Sequence, residues 1–514
     1  MAAADFLARP FGNIGELVRM HAAEEPRRVA LVQDERTLDY AALDKLMDRV
    51  AAKLQREGSK TIAMCSLNSI DYGVVFLGAL RAGIAVALVQ ASSTPESIAA
   101  MVADSGAAHL FLDAGAAQAL APVAGRIHAT RIEIDNSGAA LEAWLGKGDR
   151  QPSPVTIDPA GPFNIVYSSG TTGTPKGVVQ PNAMRWLHMQ RGPQYGYGPK
   201  TTTLISTPLY SNTTLVSFFP ALACGGTVVL MAKFEALAWL KLAERHRVTH
   251  TMLVPVQYQR LMAHPDFGRH DLSAFRVKFS TSAPFAADLK ADILKRWPGG
   301  LVEYYGMTEG GGTCVLLAHE HPHKLHTVGL PAPGHDIRLV DDAGREVPGG
   351  GTGEVVGRSG TMMTCYHNQP EQTAHAEWHD PEGRRYIRTG DVGRFDEDGF
   401  LVLLDRKKDM IISGGFNIFP ADLEAVLRAH PDVDDAAVVG VPSEKWGETP
   451  VAFVVGRGGT ALHPGLVREW ANARLGKLQR LAVVEVVASL PRSAIGKVLK
   501  RELRDAWQRG KAAR

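Results

Sequence analysis

The chain predicts an α/β protein: a large N-terminal region of two packed α/β subdomains plus a small β-rich subdomain, then a small mobile α+β C-terminal domain. Three observations carry this. Up to about residue 150, Ala-rich amphipathic stretches alternate with short apolar runs, the pattern of parallel strands covered by helices. Over residues 328–404 short β-like runs break at Gly and Asp turns. Past the charged DRKKD run at 405–409 a mixed pattern resumes.

Taken in order, periodicity predicts a helix over 40–57, a strand over 61–66, a helix over 71–81 and a strand over 84–89. The alternation returns with strands at 204–206, 250–254 and 276–280 around a helix at 236–246. Residues 214–232 are uncharged over 19 positions, long enough to weigh as a membrane span. Pro220 and the Gly225-Gly226 pair cut the stretch, so we expect a short apolar segment and a strand in a buried core, with no integral membrane segment. In the last hundred residues we expect helices at 420–429 and 464–475, and strands at 436–441, 451–455 and within 481–487.

With 514 residues the chain has room for roughly three to four domain-sized units. Its 56 Lys plus Arg against 54 Asp plus Glu leave a charge of +2, which gives no reason to expect a nucleic-acid partner. The four cysteines are far apart, which argues against a disulfide framework or zinc site and for a reducing, cytoplasmic setting. The first residues lack the features of a secretory signal. His188, His326 and His335 show no ligand spacing and are expected to be packing or surface residues.

The densest chemical signal is YSSGTTGTPKGV at 167–178, directly after the apolar FNIV. Its glycines let backbone amides approach an anion, its hydroxyls add donors, and Lys176 adds a mobile charge. It is not a Walker A loop, because Gly177 follows Lys176 where Ser or Thr is required. Composition alone would leave it an ordinary linker. The full string, however, closely resembles the phosphate loop of the adenylate-forming superfamily, which includes acyl- and aryl-CoA synthetases, luciferases and peptide-synthetase adenylation domains. Four further motifs follow in that family's order: YYGMTEGG from Tyr304, RTGDVGRFDEDGF from Arg388, DRKKDMIISGGFNIFPADLE from Asp405 and PRSAIGKVLKREL from Pro491.

The resemblance implies an N-terminal AMP-binding domain over 1–404, its β-rich subdomain at about 328–404, a hinge at 405–409 centred on Lys408, and a C-terminal lid over 410–514. ATP would be held by Ser168, Ser169, Gly170, Thr171, Thr172, Gly173, Thr174 and Lys176. Its base would sit at Ser282, Ala283, Pro284, Tyr305 and Gly306, and its ribose at Asp391 and Arg406. Thr308 would contact phosphate and Glu309 would hold Mg²⁺, an ion for which one carboxylate suffices because it keeps several waters. Lys497 would bridge the carboxylate and the α-phosphate, lowering their repulsion. CoA would meet Gly414, Gly415, Trp446 and Arg480. The acyl pocket would be lined by Tyr210, Asn212, Thr213, Val256, Gln257, Ser282, Gly306, Gly310 and Gly311, and the run of glycines there could admit an elongated or aromatic group.

Three departures from the family pattern stand out. Ser211-Asn212-Thr213 follows TPLY where relatives commonly place a histidine. Leu478 stands where an aromatic often stacks on CoA. Tyr304 occupies the place of the arginine that malonate-activating relatives carry, which argues against a dicarboxylic acid. The expected activity is that of an AMP-forming acid:CoA ligase. It would use ATP, Mg²⁺ and CoA on a monocarboxylic acid, aromatic or medium-chain aliphatic, as a monomer or homodimer. The alternatives are an enzyme loading a separate acyl carrier protein, and a non-catalytic nucleotide or acyl-CoA binder.

Overall fold

The computed structural model describes residues 1–148, 150–168, 176–413, 416–443, 446–476, 479–493 and 496–512. It divides into two compact units, residues 1–337 with 357–387, and residues 338–356 with 388–514.

The first unit is built on two sheets. Among the described residues one has seven strands in the order Cys365–Tyr366, Lys176–Pro181, Pro162–Ser168, Ala85–Leu88, Thr61–Cys65, His109–Leu112 and Thr130–Glu133. From Pro162–Ser168 onward its pairs are parallel, while Lys176–Pro181 and Cys365–Tyr366 are added antiparallel. The other, with nine strands, is parallel through Gly300–Tyr305, Val277–Ser280, His250–Leu253, Thr202–Ile205, Thr227–Leu230 and Val29–Gln33, with antiparallel pairs at both edges. The alternation read from the sequence thus folds as parallel strands joined by helical crossovers, the connection such strands require.

The helix Ile70–Arg81 is buried along its whole length and contributes Phe76 to a core shared with Phe163 and Phe219, whose rings meet Phe76 edge-on. It starts where the Ser69 hydroxyl accepts from the Tyr72 N–H at 3.0 Å. It ends at Arg81, a buried cation that Asp48 at 2.8 Å and Asp44 neutralise and whose Nη2 also donates to the Gly15 carbonyl. The helix Tyr40–Arg56 stops one residue short of its expected end.

The uncharged stretch becomes the helix Asn212–Ala223 and the strand Thr227–Leu230. Pro220 does not end that helix. It costs one backbone donor near the C-terminal turn, and the break falls at Gly225, whose φ of 78° suits a residue without a Cβ. Among the described residues no helix is long and apolar enough to cross a membrane.

The second unit contains a five-stranded sheet in the order Phe416–Ile418, Ile411–Ser413, Gly447–Gly456 and Val433–Ser443, with Val483–Val486 alongside Gly447–Gly456. Helices Pro420–Arg428 and Pro464–Asn472 place Leu423, Leu427 and Val467 in one core with Ile411, Val438 and Val454. Both central strands are longer than the expected 436–441 and 451–455, because Gly and Pro at their ends remain in the ladder. The helix Lys500–Ala512 carries no expectation from the sequence.

The glycine run at 310–312 fixes how the chain returns past the nine-stranded sheet. A Cβ on Gly310 would stand 1.9 Å from the Thr361 carbonyl oxygen, one on Gly311 2.7 Å from that of Gly357, and one on Gly312 2.6 Å from Ile337 Cγ1. The room that these glycines leave is therefore taken by protein, which corrects the expectation that it opens an acyl pocket. Gly310 also has φ of 74°. We expect Gly310→Ala to destabilise the first unit by about 2–5 kcal/mol through overpacking and strain together. Gly125→Ala, with no atom within 4 Å of the added carbon, should change the melting temperature little.

Candidate functional site

The two ends of the phosphate-loop motif lie on a pair of neighbouring strands. Pro162–Ser168 pairs antiparallel with Lys176–Pro181, with Ser168 opposite Lys176, Val166 opposite Val178 and Asn164 opposite Gln180. Ser169, Gly170, Thr171, Thr172, Gly173 and Thr174 lie outside the described residues. Because side chains alternate, Lys176, Val178 and Gln180 share one face. On the far side of Lys176–Pro181 the short strand Cys365–Tyr366 sets Tyr366 opposite Val178, one step diagonally from Lys176.

The register has a chemical result. Lys176 Nζ lies 5.1 Å from the centroid of the Tyr366 ring, a cation over an aromatic face. The Tyr366 hydroxyl donates to Glu309 Oε1 at 2.7 Å. Tyr366 is 6% exposed, and burial together with the Glu309 carboxylate raises its ionisation above the ordinary phenol range, so it stays a donor. Glu309 is fixed from behind by its carbonyl, which accepts from the Met363 N–H at 2.7 Å. Two residues singled out by motif, 133 positions apart in sequence, are thus joined through a tyrosine that no motif suggested.

Gln180, fully buried on the same strand face, donates to the Thr308 carbonyl at 2.6 Å and to Asn212 Oδ1 at 3.2 Å. Its own oxygen accepts from Asn164 and from Arg185. Arg185 is buried without a carboxylate, and that burial brings its pKa down to about 9. The Thr308 turn therefore rests on an amide–guanidinium network, another feature the sequence did not suggest.

Ser282 has φ of 82°, a conformation disfavoured for a side chain with a Cβ, and its hydroxyl bonds that of Thr213. That contact brings the base segment next to two of the expected acyl-pocket residues, Asn212 and Thr213. Ala283 and Tyr305 are half-buried, and Pro284 and Gly306 are exposed. Tyr210 and Val256 are also half-buried. The Gln257 side chain turns back to accept from the Val254 N–H at 3.1 Å, capping its own helix.

In the second unit Asp391 stands directly opposite Arg406 across an antiparallel pair, with Arg406 Nε 3.1 Å from Asp391 Oδ1. Lys497 is tied to Ser493: its carbonyl accepts from the Ser493 N–H at 2.8 Å and its N–H donates to Ser493 Oγ at 3.2 Å. Burial, then the Arg406 and Lys408 charges, lower its pKa to about 8 against the pull of Asp391 and Asp409. The described residues of the unit thus gather Asp391, Arg406, Lys408 and Lys497 into one charged cluster. Nearby, Lys500 pairs with Glu424 at 2.8 Å. Trp446 and Arg480 are exposed, and Gly414, Gly415 and Leu478 lie outside the described residues.

Among the described residues no three His, Cys, Asp or Glu side chains come together as a metal cage. Glu309 nevertheless suits Mg²⁺. One of its oxygens is engaged by Tyr366, which leaves the other for a hard cation that takes its remaining ligands from phosphates and water.

Residues 18–367 match the AMP-binding enzyme family and residues 422–497 match the AMP-binding enzyme C-terminal domain. An indoleacetate–CoA ligase from Aromatoleum aromaticum is 33% identical, covering 96% of this chain and 98% of its own. The fatty acid–[acyl-carrier-protein] ligase ScoC from Streptomyces coeruleorubidus is 32% identical over 95% of each chain. The structure of o-succinylbenzoate coenzyme A synthetase (MenE) from Bacillus subtilis, in complex with ATP and magnesium ion, superposes with a TM-score of 0.82 at 25% identity, covering 95% of this chain and 99% of that one. Motif order, strand geometry and these likenesses agree: the chain belongs to the AMP-binding enzyme family, as an ATP-dependent, adenylate-forming synthetase of the acyl- and aryl-CoA type.

Proposed function

We propose that the protein is an AMP-forming acid:CoA ligase that activates a monocarboxylic acid, aromatic or medium-chain aliphatic, and passes it to CoA. The observation that carries this is the Lys176–Tyr366–Glu309 assembly. It holds a cation and a carboxylate on one rigid phenol, the arrangement needed to manage phosphate charge rather than to form an enzyme ester. A pure nucleotide binder has no use for it.

In the first step a carboxylate oxygen of the acid attacks the α-phosphorus of ATP, the bond to the β-phosphate oxygen breaks, and pyrophosphate leaves. Lys176 offsets charge on the departing group, and Lys497 lowers repulsion between the two reacting anions. Asp391 and Arg406 hold the ribose, and Tyr305 and the Ser282–Pro284 backbone hold the base. Bound at Glu309, Mg²⁺ supplies charge neutralisation across the phosphates. In the second step the CoA sulfur attacks the acyl carbon, AMP departs, and the thiol proton is lost to solvent; Trp446, Arg480 and the Gly414-Gly415 segment receive CoA.

The rival acceptor, a carrier-protein pantetheine, is favoured by the likeness to ScoC and by the Ser211 and Leu478 departures. Pyrophosphate, AMP and thioester are to be followed with ATP and Mg²⁺ over aromatic and aliphatic acids, with and without CoA. We expect acid-dependent pyrophosphate release that CoA turns into thioester. Release that CoA leaves without thioester would select the carrier reading, and release with no acid would sink both.

Tyr366→Phe removes one hydrogen bond to a charged group, worth about 1.5–3 kcal/mol, and should cut adenylation about ten- to a hundredfold while raising the Mg²⁺ concentration needed for half-maximal rate. A Mg²⁺ titration of pyrophosphate release checks this. Lys497 acts as a cation, and its pKa of about 8 means that it loses that charge as pH rises through 8. Adenylation should therefore fall above pH 8, and Lys497→Arg, which stays charged, should abolish that falling limb. Lys497→Ala should slow adenylation by about 10²–10³-fold and thioester formation from supplied acyl adenylate far less.

A further inference from the structure

Beside the acid site the structure gathers basic groups without an acid. Arg185 Nη1 lies 3.5 Å from His188 Nδ1, and Arg191 Nη2 lies 2.7 Å from His335 Nε2. Among the described residues no carboxylate stands within ion-pair distance of any of the four. Arg185 is satisfied by the Asn164 and Gln180 amides. Arg191 has no such acceptor, and its one side-chain partner among the described residues is His335.

His335 cannot fill that role. Its Nδ1 accepts from the Thr313 N–H at 3.0 Å. Burial and the neighbouring Arg191 charge hold the ring neutral, with a pKa of about 4. A neutral imidazole has one donor and one acceptor, so with Nδ1 accepting, Nε2 carries the proton and faces the guanidinium donor to donor. If the tautomer is reversed, the Thr313 N–H loses its acceptor instead. Either way one donor of this half-buried pair faces no protein acceptor, which leaves it available to an acceptor from outside.

The place of this orphan is telling. Phe279 and Tyr304 stack at 5.8 Å and 9°, and Tyr195 meets Tyr304 edge-on at 6.1 Å. Tyr195 and Tyr304 pack against the main core yet stay half-buried, so surface remains open beside them. Arg191 adjoins both tyrosines electrostatically. His335 is tied to Thr313, which a Cβ on Gly306 would approach at 3.4 Å. An aromatic wall thus runs from the segment next to the adenylation motif toward an unmatched cation.

Resting on the ligase reading above, we propose that this wall and Arg191 form the distal subsite for the acid, and that the acid is an aromatic one carrying an oxygen acceptor at the end remote from its carboxylate. The guanidinium turns from His335 to that oxygen, and His335 keeps its Thr313 contact. Tyr304 in place of an arginine argues against a dicarboxylic acid, and a neutral oxygen acceptor held by Arg191 is consistent with that.

The test uses matched acids, 4-coumarate against cinnamate and 4-hydroxyphenylacetate against phenylacetate, with kcat/KM taken from pyrophosphate release. Wild type should prefer the hydroxylated member of each pair at least tenfold. Arg191→Met should bring both ratios to within twofold of unity. Arg191→Lys, which keeps a cation, should retain a measurable part of the preference and guards against a variant that merely folds poorly. Ratios that are unity in wild type, or unchanged in Arg191→Met, overturn the subsite and leave the ligase reading standing. No pyrophosphate release with any acid overturns both.

Discussion

The rest of the site depends on the close approach of the backbone at 310–312 to that of 357–361. With only hydrogen at the three α-carbons, the Gly311 N–H reaches the Thr361 carbonyl at 3.0 Å and the Met363 N–H reaches the Glu309 carbonyl at 2.7 Å. This seats the turn bearing Thr308 and Glu309 against the chain that runs on to Tyr366. From there the strand Cys365–Tyr366 pairs with Lys176–Pro181, so one backbone contact places Lys176, Tyr366 and Glu309 together. A side chain at any of the three glycines would separate groups that gain their function from proximity.

Electrostatic matching then divides the labour. In the first unit charge is rationed: Lys176 rests on a π face, Glu309 on a phenol proton, and the buried Arg185 on amide dipoles, so none is neutralised by a salt bridge that phosphate would have to break. In the second unit the opposite holds, for Asp391 and Arg406 are paired, and burial, then the charges of Arg406 and Lys408, weaken the hold of Lys497 on its proton. A lysine poised in this way is a cation whose charge a reacting anion can restore. The preorganised donors and unmatched cations are what an anion-handling enzyme needs, and they cost stability that the large aromatic core offsets.

Much of this was legible in the sequence where information is local. Apolar periodicity placed the helix Ile70–Arg81 and the strands around it to within one or two residues, and the motif residues Lys176, Thr308, Glu309, Asp391, Arg406 and Lys497 stood out by their strings. What escaped depends on distant pairing. Tyr366 lies 57 residues from Glu309 and becomes relevant through the register of a two-residue strand. Gln180 and Arg185 look like an ordinary strand end and helix face until Thr308 arrives from 128 residues away. Gly310–Gly312 misled for the same reason, because sequence shows the absent side chains but not the backbone that fills their place. His335 passed as isolated because nothing local brings it to Arg191, whereas the i, i+3 spacing of Arg185 and His188 on one helix was a signal left unread.

The central claim is that the charged groups of this chain serve an attack on the α-phosphorus that yields an acyl adenylate. Its most direct test is mass spectrometry of the species formed from enzyme, Mg²⁺-ATP and an accepted acid in the absence of any thiol. A bound species with the mass of the acid plus AMP less water, together with free pyrophosphate, is the predicted result. ADP with an acyl phosphate would place the attack at the γ-phosphorus and contradict it.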